Sequence, residues 1–223
     1  MVKNKQFTVK ISLAYSREEE LKPLVPLLEG KINNRGYEIE PIKIKQDEVK
    51  FNVEKYDLLY FPLPVLSTIK DVKILSNGSY SVEKLFIKKI KDEKSIKLHL
   101  NGTNSTEFYL VKMFINENVV PSLNDFNAAI DFNEGEIDLY SEWENVCGKL
   151  PIIISMIGSK KLTEDDLLKI KVIVRDSASS LVNSGEIPSI SKELGLKGRE
   201  SLECFFKLCK QKGLCGEVKF SLL

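Results

Sequence analysis

Asp57-Leu58-Leu59-Tyr60-Phe61-Pro62 is the stretch whose reading decides the fold. Its apolar run does not alternate, and it stops at a proline. A strand with one wet face alternates, whereas a strand covered on both faces stays apolar throughout, as parallel sheets require. The flanking segments fit such a sheet. Phe7–Ala14 alternates as a first strand, and Ser16-Arg17-Glu18-Glu19 opens a helix toward Gly30 with a capping pattern. Pro23 and Pro26 push the start of that helix later. Tyr37, Ile39, Ile42 and Ile44 alternate as a second strand, Val49–Val53 has no clear type, and Val72–Leu75 reads as a further strand. Strands separated by helical segments predict a mostly parallel α/β layer.

Further along, Asn77-Gly78-Ser79 breaks the pattern. Leu85–Ile90 and Ile96–Leu100 then read as strands. Asn101–Thr106 is a loop, and Asn104 with Glu107 forms a capping pair before a helix carrying Phe108, Leu110, Val111 and Phe114. Trp143 sits in a short helical stretch ending near Gly148. Leu150–Ile157 is a buried strand running into Gly158. Thr163 caps a long helix with Leu167, Ile170, Val174 and Leu181 on one side, and two more helices follow around 190–194 and 199–212. Between Asn127 and Tyr140 either Asp131 ends a strand or Glu136–Tyr140 forms one after Gly135. The layout predicts a discontinuous first lobe, 1–78 plus 158–223, with an inserted second lobe, 79–157, hinged at Gly78 and Gly158. Ligands usually bind in clefts between such units.

Composition narrows the partners. The chain has 223 residues, of which 43% are hydrophobic and 29% charged, a globular profile. Lys and Arg total 33 against 32 acids, so the net charge of +1 gives no field to attract nucleic acid. The cations are nearly all Lys, with Arg only at positions 17, 35, 175 and 199. Lys interspersed with Glu matches a thermophile surface. No run reaches the roughly 18 apolar residues of a membrane span, and the N-terminus lacks a signal-peptide core. A cytoplasmic protein, monomeric or homodimeric, is expected. Cys147, Cys204, Cys209 and Cys215 form no C-x-x-C pair, and the chain holds one His, so neither a metal site nor a cofactor is expected. Buried thiols are the first reading of these cysteines; a disulfide from Cys215 to Cys204 or Cys209 is the second.

The candidate site follows from strand ends. Asn101-Gly102-Thr103-Asn104-Ser105-Thr106 joins a strand to a helix N-terminus, where free N–H groups favour anions. Thr103, Asn104, Ser105 and Thr106 are therefore candidate ligand contacts, although the same residues also serve as plain caps. The end of the first strand offers Ser12, Tyr15 and Ser16; the end of the Leu58–Phe61 run offers Pro62. In open α/β sheets ligands lie outside the carboxyl ends of the strands. His99, with an unperturbed pKa near neutrality, and Asp131 are the candidates for acid–base work.

Asp138-Leu139-Tyr140-Ser141-Glu142-Trp143, with Gly148-Lys149-Leu150-Pro151 after it, resembles the D-L-x-x-x-W…T-G-L-P segment of the futalosine-route menaquinone enzymes, chorismate dehydratase and 1,4-dihydroxy-6-naphthoate synthase. The Asn104-Ser105-Thr106 loop resembles their Ser/Thr-rich loop, and Leu28-Glu29-Gly30-Lys31-Ile32 is similar to a phrase of the synthase. The resemblance implies the type II periplasmic-binding-protein fold, with two α/β lobes and a carboxylate ligand held at Ser105 and Thr106. The chain departs from the synthase at Ala129-Ile130-Asp131-Phe132, where no catalytic His stands, and it carries one extra residue in Gly148–Pro151. Binding of a small carboxylate without assured catalysis is the leading expectation. An enzyme acting on a cyclic carboxylic acid is the second, and an interaction domain docking through Phe205–Leu208 is the third.

Overall fold

The computed structural model describes residues 7–223. The signal-peptide reading of the extreme N-terminus lies outside them. In chain order the strands are β1 (Val9–Tyr15), β2 (Tyr37–Lys43), β3 (Leu58–Pro62), β4 (Val72–Ile74), β5 (Tyr80–Val82), β6 (Phe86–Lys89), β7 (Lys97–His99), β8 (Val120–Ser122), β9 (Ala128–Asp131), β10 (Ile137–Asp138), β11 (Ile152–Ser159) and β12 (Phe220–Leu222). The helices are α1 (Val25–Leu28), α2 (Leu63–Leu66), α3 (Thr106–Phe114), α4 (Leu139–Cys147), α5 (Glu164–Asn183), α6 (Ser189–Lys192) and α7 (Gly195–Gln211), with 3₁₀ turns at Glu18–Leu24 and Gln46–Phe51. The helix expected from Ser16 is a 3₁₀ segment because Pro23 removes an N–H within it; α-helix begins at Val25, with Pro26 in the first turn.

These strands make two sheets. The first runs β12-β4-β11-β3-β1-β2, with β5 alongside β11; the second runs β10-β6-β9-β7-β8. β1 is parallel to β2 and β3, but the long β11 lies antiparallel to β3, β4 and β5, so the sheet is mixed. Every residue of β3 is buried, as the apolar run at 58–62 demands, and so is every residue of β11. Between Asn127 and Tyr140, Asp131 ends β9, and the strand expected at Glu136–Tyr140 is only the two residues of β10, because Leu139 and Tyr140 already open α4; β9 and β10 each pair with β6.

The chain changes sheet after Val82 and again before Ile152, not at the two glycines singled out as hinges. Both glycines are packing positions, Gly158 within β11 and Gly78 in the turn between β4 and β5. A Cβ on Gly158 would collide with Ile74 and Phe61, and one on Gly78 (φ 79°) with Ile157 and Val174. The return crossing at 148–151 is pinned. Trp143 Nε1 and the Tyr140 hydroxyl both donate to the Leu150 carbonyl, at 2.8 and 3.2 Å, and Ser201 Oγ donates to that of Pro151 at 2.6 Å. Gly148, at φ 78°, ends α4 in a conformation that suits a glycine.

The cysteines differ from the thiol reading. Cys147 at the end of α4 is bonded to Cys204 on α7, and Cys209 to Cys215. One apolar core, from Phe61 and Ile154 through Phe108 and Leu110 to Trp143 and Leu98, runs continuously beneath both sheets.

Candidate functional site

The C-terminal ends of β1 and β3 meet the N-terminus of α3, and this seam between the two sheets is the candidate site. Its floor is built by Thr106. The side chain is fully buried, donates to the Ile154 carbonyl of β11 at 2.6 Å and accepts the Leu63 amide at 3.1 Å. One hydroxyl thereby ties α3 to the start of α2, just past the end of β3, and to β11. Ser105 is buried beside it and caps α3 by accepting the Phe108 amide at 3.1 Å.

Ionic groups sit above this floor. Arg17, just past β1, donates to Glu107 Oε1 at 2.6 Å across the seam; the Glu107 side chain is 2% exposed and that of Arg17 21%. Glu20 is fully buried. Its Oε2 accepts the Ser16 and Arg17 amides at 2.8 and 3.3 Å, and its Oε1 accepts from Ser155 Oγ at 2.8 Å. Burial pushes the Glu20 carboxyl above its ordinary range, against these hydrogen bonds and Arg17. The Arg17 guanidinium lies 5.9 Å from the centre of the Tyr80 ring, which meets Phe132 edge-on at 6.3 Å. Burial pushes the Tyr80 hydroxyl up to about 12, so it stays protonated at neutral pH. At the rim the Asp47 carboxylate rests on Gly102, a contact that a Cβ at 102 would abolish. Two polar atoms near these strand ends are buried without a partner among the described residues, Glu107 Oε2 and Gln46 Nε2.

Of the residues expected from sequence, Ser16, Pro62, Ser105 and Thr106 lie in the seam, with Asn104 half-buried and Thr103 exposed in the loop above it. The side chains of Ser105 and Thr106 are committed to the protein's own backbone. Tyr15 donates to Glu18 at 3.4 Å, outside the buried cluster. Ser12 lies mid-strand, where its hydroxyl donates to the Asp57 carboxylate and accepts the Asp57 amide, each at 2.9 Å. Asp131 accepts the Asn133 and Glu134 amides, which hold its carboxyl below the usual range and commit it to a turn. His99 is exposed and stacks on Phe126 with ring centres 4.1 Å apart. Arg17, Glu20, Tyr80 and Glu107 escaped sequence reasoning. A signal existed for Arg17: it is one of four Arg in a Lys-rich chain, and it stands at a strand end.

Two grooves matter here, and only the smaller borders the seam. One of about 180 Å³ lies against Tyr80 and Ser81, walled by Glu19, Lys22 and Pro188. A larger one, about 470 Å³, lies at the C-terminal ends of α3 and α7, between Lys112, Asn116 and Leu214. It contains none of the strand-end residues.

No family model matches the chain, and no curated protein matches it by sequence. Solved structures do match its fold. Protein AF1704 from Archaeoglobus fulgidus superposes with a TM-score of 0.77 at 13% identity, over 95% of this chain and 99% of that one. The Candida albicans CA3427 gene product, described as exhibiting the generic periplasmic binding protein fold, gives 0.61 at 9% identity over 94% and 92%. The alkanesulfonate-binding protein SsuA from Xanthomonas axonopodis pv. citri, bound to MOPS, gives 0.53 at 9% identity over 97% and 99%. With two α/β sheets exchanging chain twice and a seam at the strand ends between them, this protein has the periplasmic-binding-protein fold.

Proposed function

We propose that the protein binds a small organic solute bearing a carboxylate in the seam, with Arg17 as the group that receives it. The observation that carries the reading is the position of Arg17. It is a four-fifths-buried guanidinium at the carboxyl end of β1, bridging to the opposite sheet's helix, in a fold whose relatives include a sulfonate-binding protein. An Arg presents paired donors that match a carboxylate or sulfonate. The first-turn amides of α3, of which the Ser105 hydroxyl already takes that of Phe108, add to the anion preference.

In the present arrangement the seam is closed on its own side chains, so entry of a solute requires the two sheets to part. Domain closure around a ligand is the usual motion of such folds. The two disulfides fit an oxidising compartment or the cytoplasm of a hyperthermophile. The Lys- and Glu-rich surface favours the second, so a cytoplasmic placement stays part of the proposal. Among the described residues no helix is long and apolar enough to cross a membrane.

A panel of aliphatic and aromatic carboxylates, screened by thermal shift and then by calorimetry, tests the reading. A ligand at 100 times its Kd adds about 2.7 kcal/mol to stability. Arg17→Met is expected to weaken binding by about 10–100-fold, the worth of a charged hydrogen bond. Equal affinity in Arg17→Met, with its fold intact, would exclude Arg17 as the receiving group.

A further inference from the structure

The two buried acids of the seam are not equivalent. Glu20 has partners on both oxygens: Oε2 takes two amides, and Oε1 takes the Ser155 hydroxyl. Glu107 has a partner on one only. Its Oε1 takes Arg17 at 2.6 Å, while Oε2 is buried and meets no donor among the described residues. The other unpartnered side-chain atoms, on Gln46, Ser76, Asn77 and Ser81, belong to neutral groups. A buried polar atom without a partner is costly, and more so on a charged group.

Charge points the same way. Around Arg17 stand two carboxylates, Glu20 and Glu107, and the cation facing both is Arg17 itself. The Tyr80 ring already receives one cation, Arg17, and its edge contact with Phe132 extends an aromatic wall next to the acids. Aromatic faces and carboxylates together attract a positive group. A solute bringing only an acid would share Arg17 with Glu107 and leave Glu107 Oε2 without a donor. A solute bringing a donor as well satisfies the free oxygen.

Resting on the solute-binding reading, we propose that the solute carries a protonated amine, received by the free oxygen of Glu107 beside the Tyr80 ring. Glu107 is then the residue that decides between amine-bearing and plain acids.

The test uses three matched probes, pentanoate, 5-aminopentanoate and pentylamine, with a second set built on benzoate, 4-(aminomethyl)benzoate and benzylamine. Affinities are measured by calorimetry on the whole chain, wild type and Glu107→Gln. The variant keeps an oxygen for Arg17, and a melting curve confirms its fold. The amino acids of each set are expected to bind at least about tenfold tighter than the plain acids, and Glu107→Gln to erase that ratio. Equal affinity for the amino and plain acids overturns the amine subsite and leaves the carboxylate reading standing. Binding of the free amines by wild type but not by the variant, with the plain acids inert, upholds the subsite and removes the carboxylate reading. An unchanged amine preference in Glu107→Gln overturns the assignment to this residue. Failure of every probe to bind at millimolar concentration overturns both.

Discussion

Replacing Thr106 by Val removes one oxygen from the floor of the seam while keeping its shape. The change deletes the donor to the Ile154 carbonyl and, with it, the acceptor of the Leu63 amide. The site is fully buried, so water cannot replace either bond. An orphaned buried amide costs about 1–3 kcal/mol, and the lost bond to the carbonyl about 1 more. The expected destabilisation is therefore about 2–4 kcal/mol. At about 2–4 °C per kcal/mol for a chain of this size, the melting temperature should fall by about 4–16 °C. Urea unfolding followed by circular dichroism gives the free energy directly, with the slope m as the check on two-state behaviour. Thr106→Ser, which keeps the hydroxyl, should recover most of the loss apart from a methyl-sized cavity. A Thr106→Val protein within about 0.5 kcal/mol of wild type would refute the view that this hydroxyl is a structural tie, and would return it to the pool of ligand contacts.

Further outcomes follow from other parts of the molecule. Because burial raises the Glu20 carboxyl, the folded state binds its proton more tightly than the unfolded one. Its contribution is complete below the unfolded value, near 4.5, and is lost as pH rises through the raised folded value. The stability of Glu20→Gln relative to wild type should therefore climb from pH 4 to pH 7 in parallel urea titrations; a difference that falls with pH contradicts the assignment. Chain-entropy arguments give about 4 kcal/mol for the Cys147–Cys204 bond, which spans 57 residues, and about 2 kcal/mol for Cys209–Cys215, which spans 6. Thiol titration of the unfolded, unreduced chain should find no free thiol, and Cys147→Ser/Cys204→Ser should melt lower than the other double variant. Gly158→Ala should destabilise by about 1–3 kcal/mol in the same unfolding assay, because the new methyl would displace the Ile74 side chain and press on the Phe61 ring and the Lys73 carbonyl.

What the sequence disclosed was mostly local chemistry. The unbroken apolar run before Pro62, the Thr163 cap and the glycine after Cys147 each act within a few residues, and each stands where it was expected. The start of α3 was legible to within one residue, with Ser105 rather than Asn104 as the cap. Pairings over long separations were not legible. Arg17 and Glu107 are 90 residues apart, and Glu20 and Ser155 135 apart, so no spacing could announce them. The same holds for Cys147 with Cys204, whose nearness depends on α4 and α7 lying together. The two glycines read as hinges show another use for glycine. Gly78 and Gly158 looked like flexible links, but a glycine is equally what close packing needs, at Gly158 where Ile74 and Phe61 press on a strand and at Gly78 where Ile157 and Val174 press on a turn. A run of Ser and Thr at a helix start likewise fits both anion binding and self-capping, and in Ser105 and Thr106 the hydroxyls serve the chain itself.

Hydrogen exchange of the whole protein, with and without a saturating bound acid from the panel, tests the central claim most directly. The account predicts slowed exchange in 16–20, 80–82 and 104–108, the segments that line the seam, with the rest of the chain little changed. Slowing confined to 112–118 and 212–214, around the larger groove, would contradict it and move the binding site elsewhere.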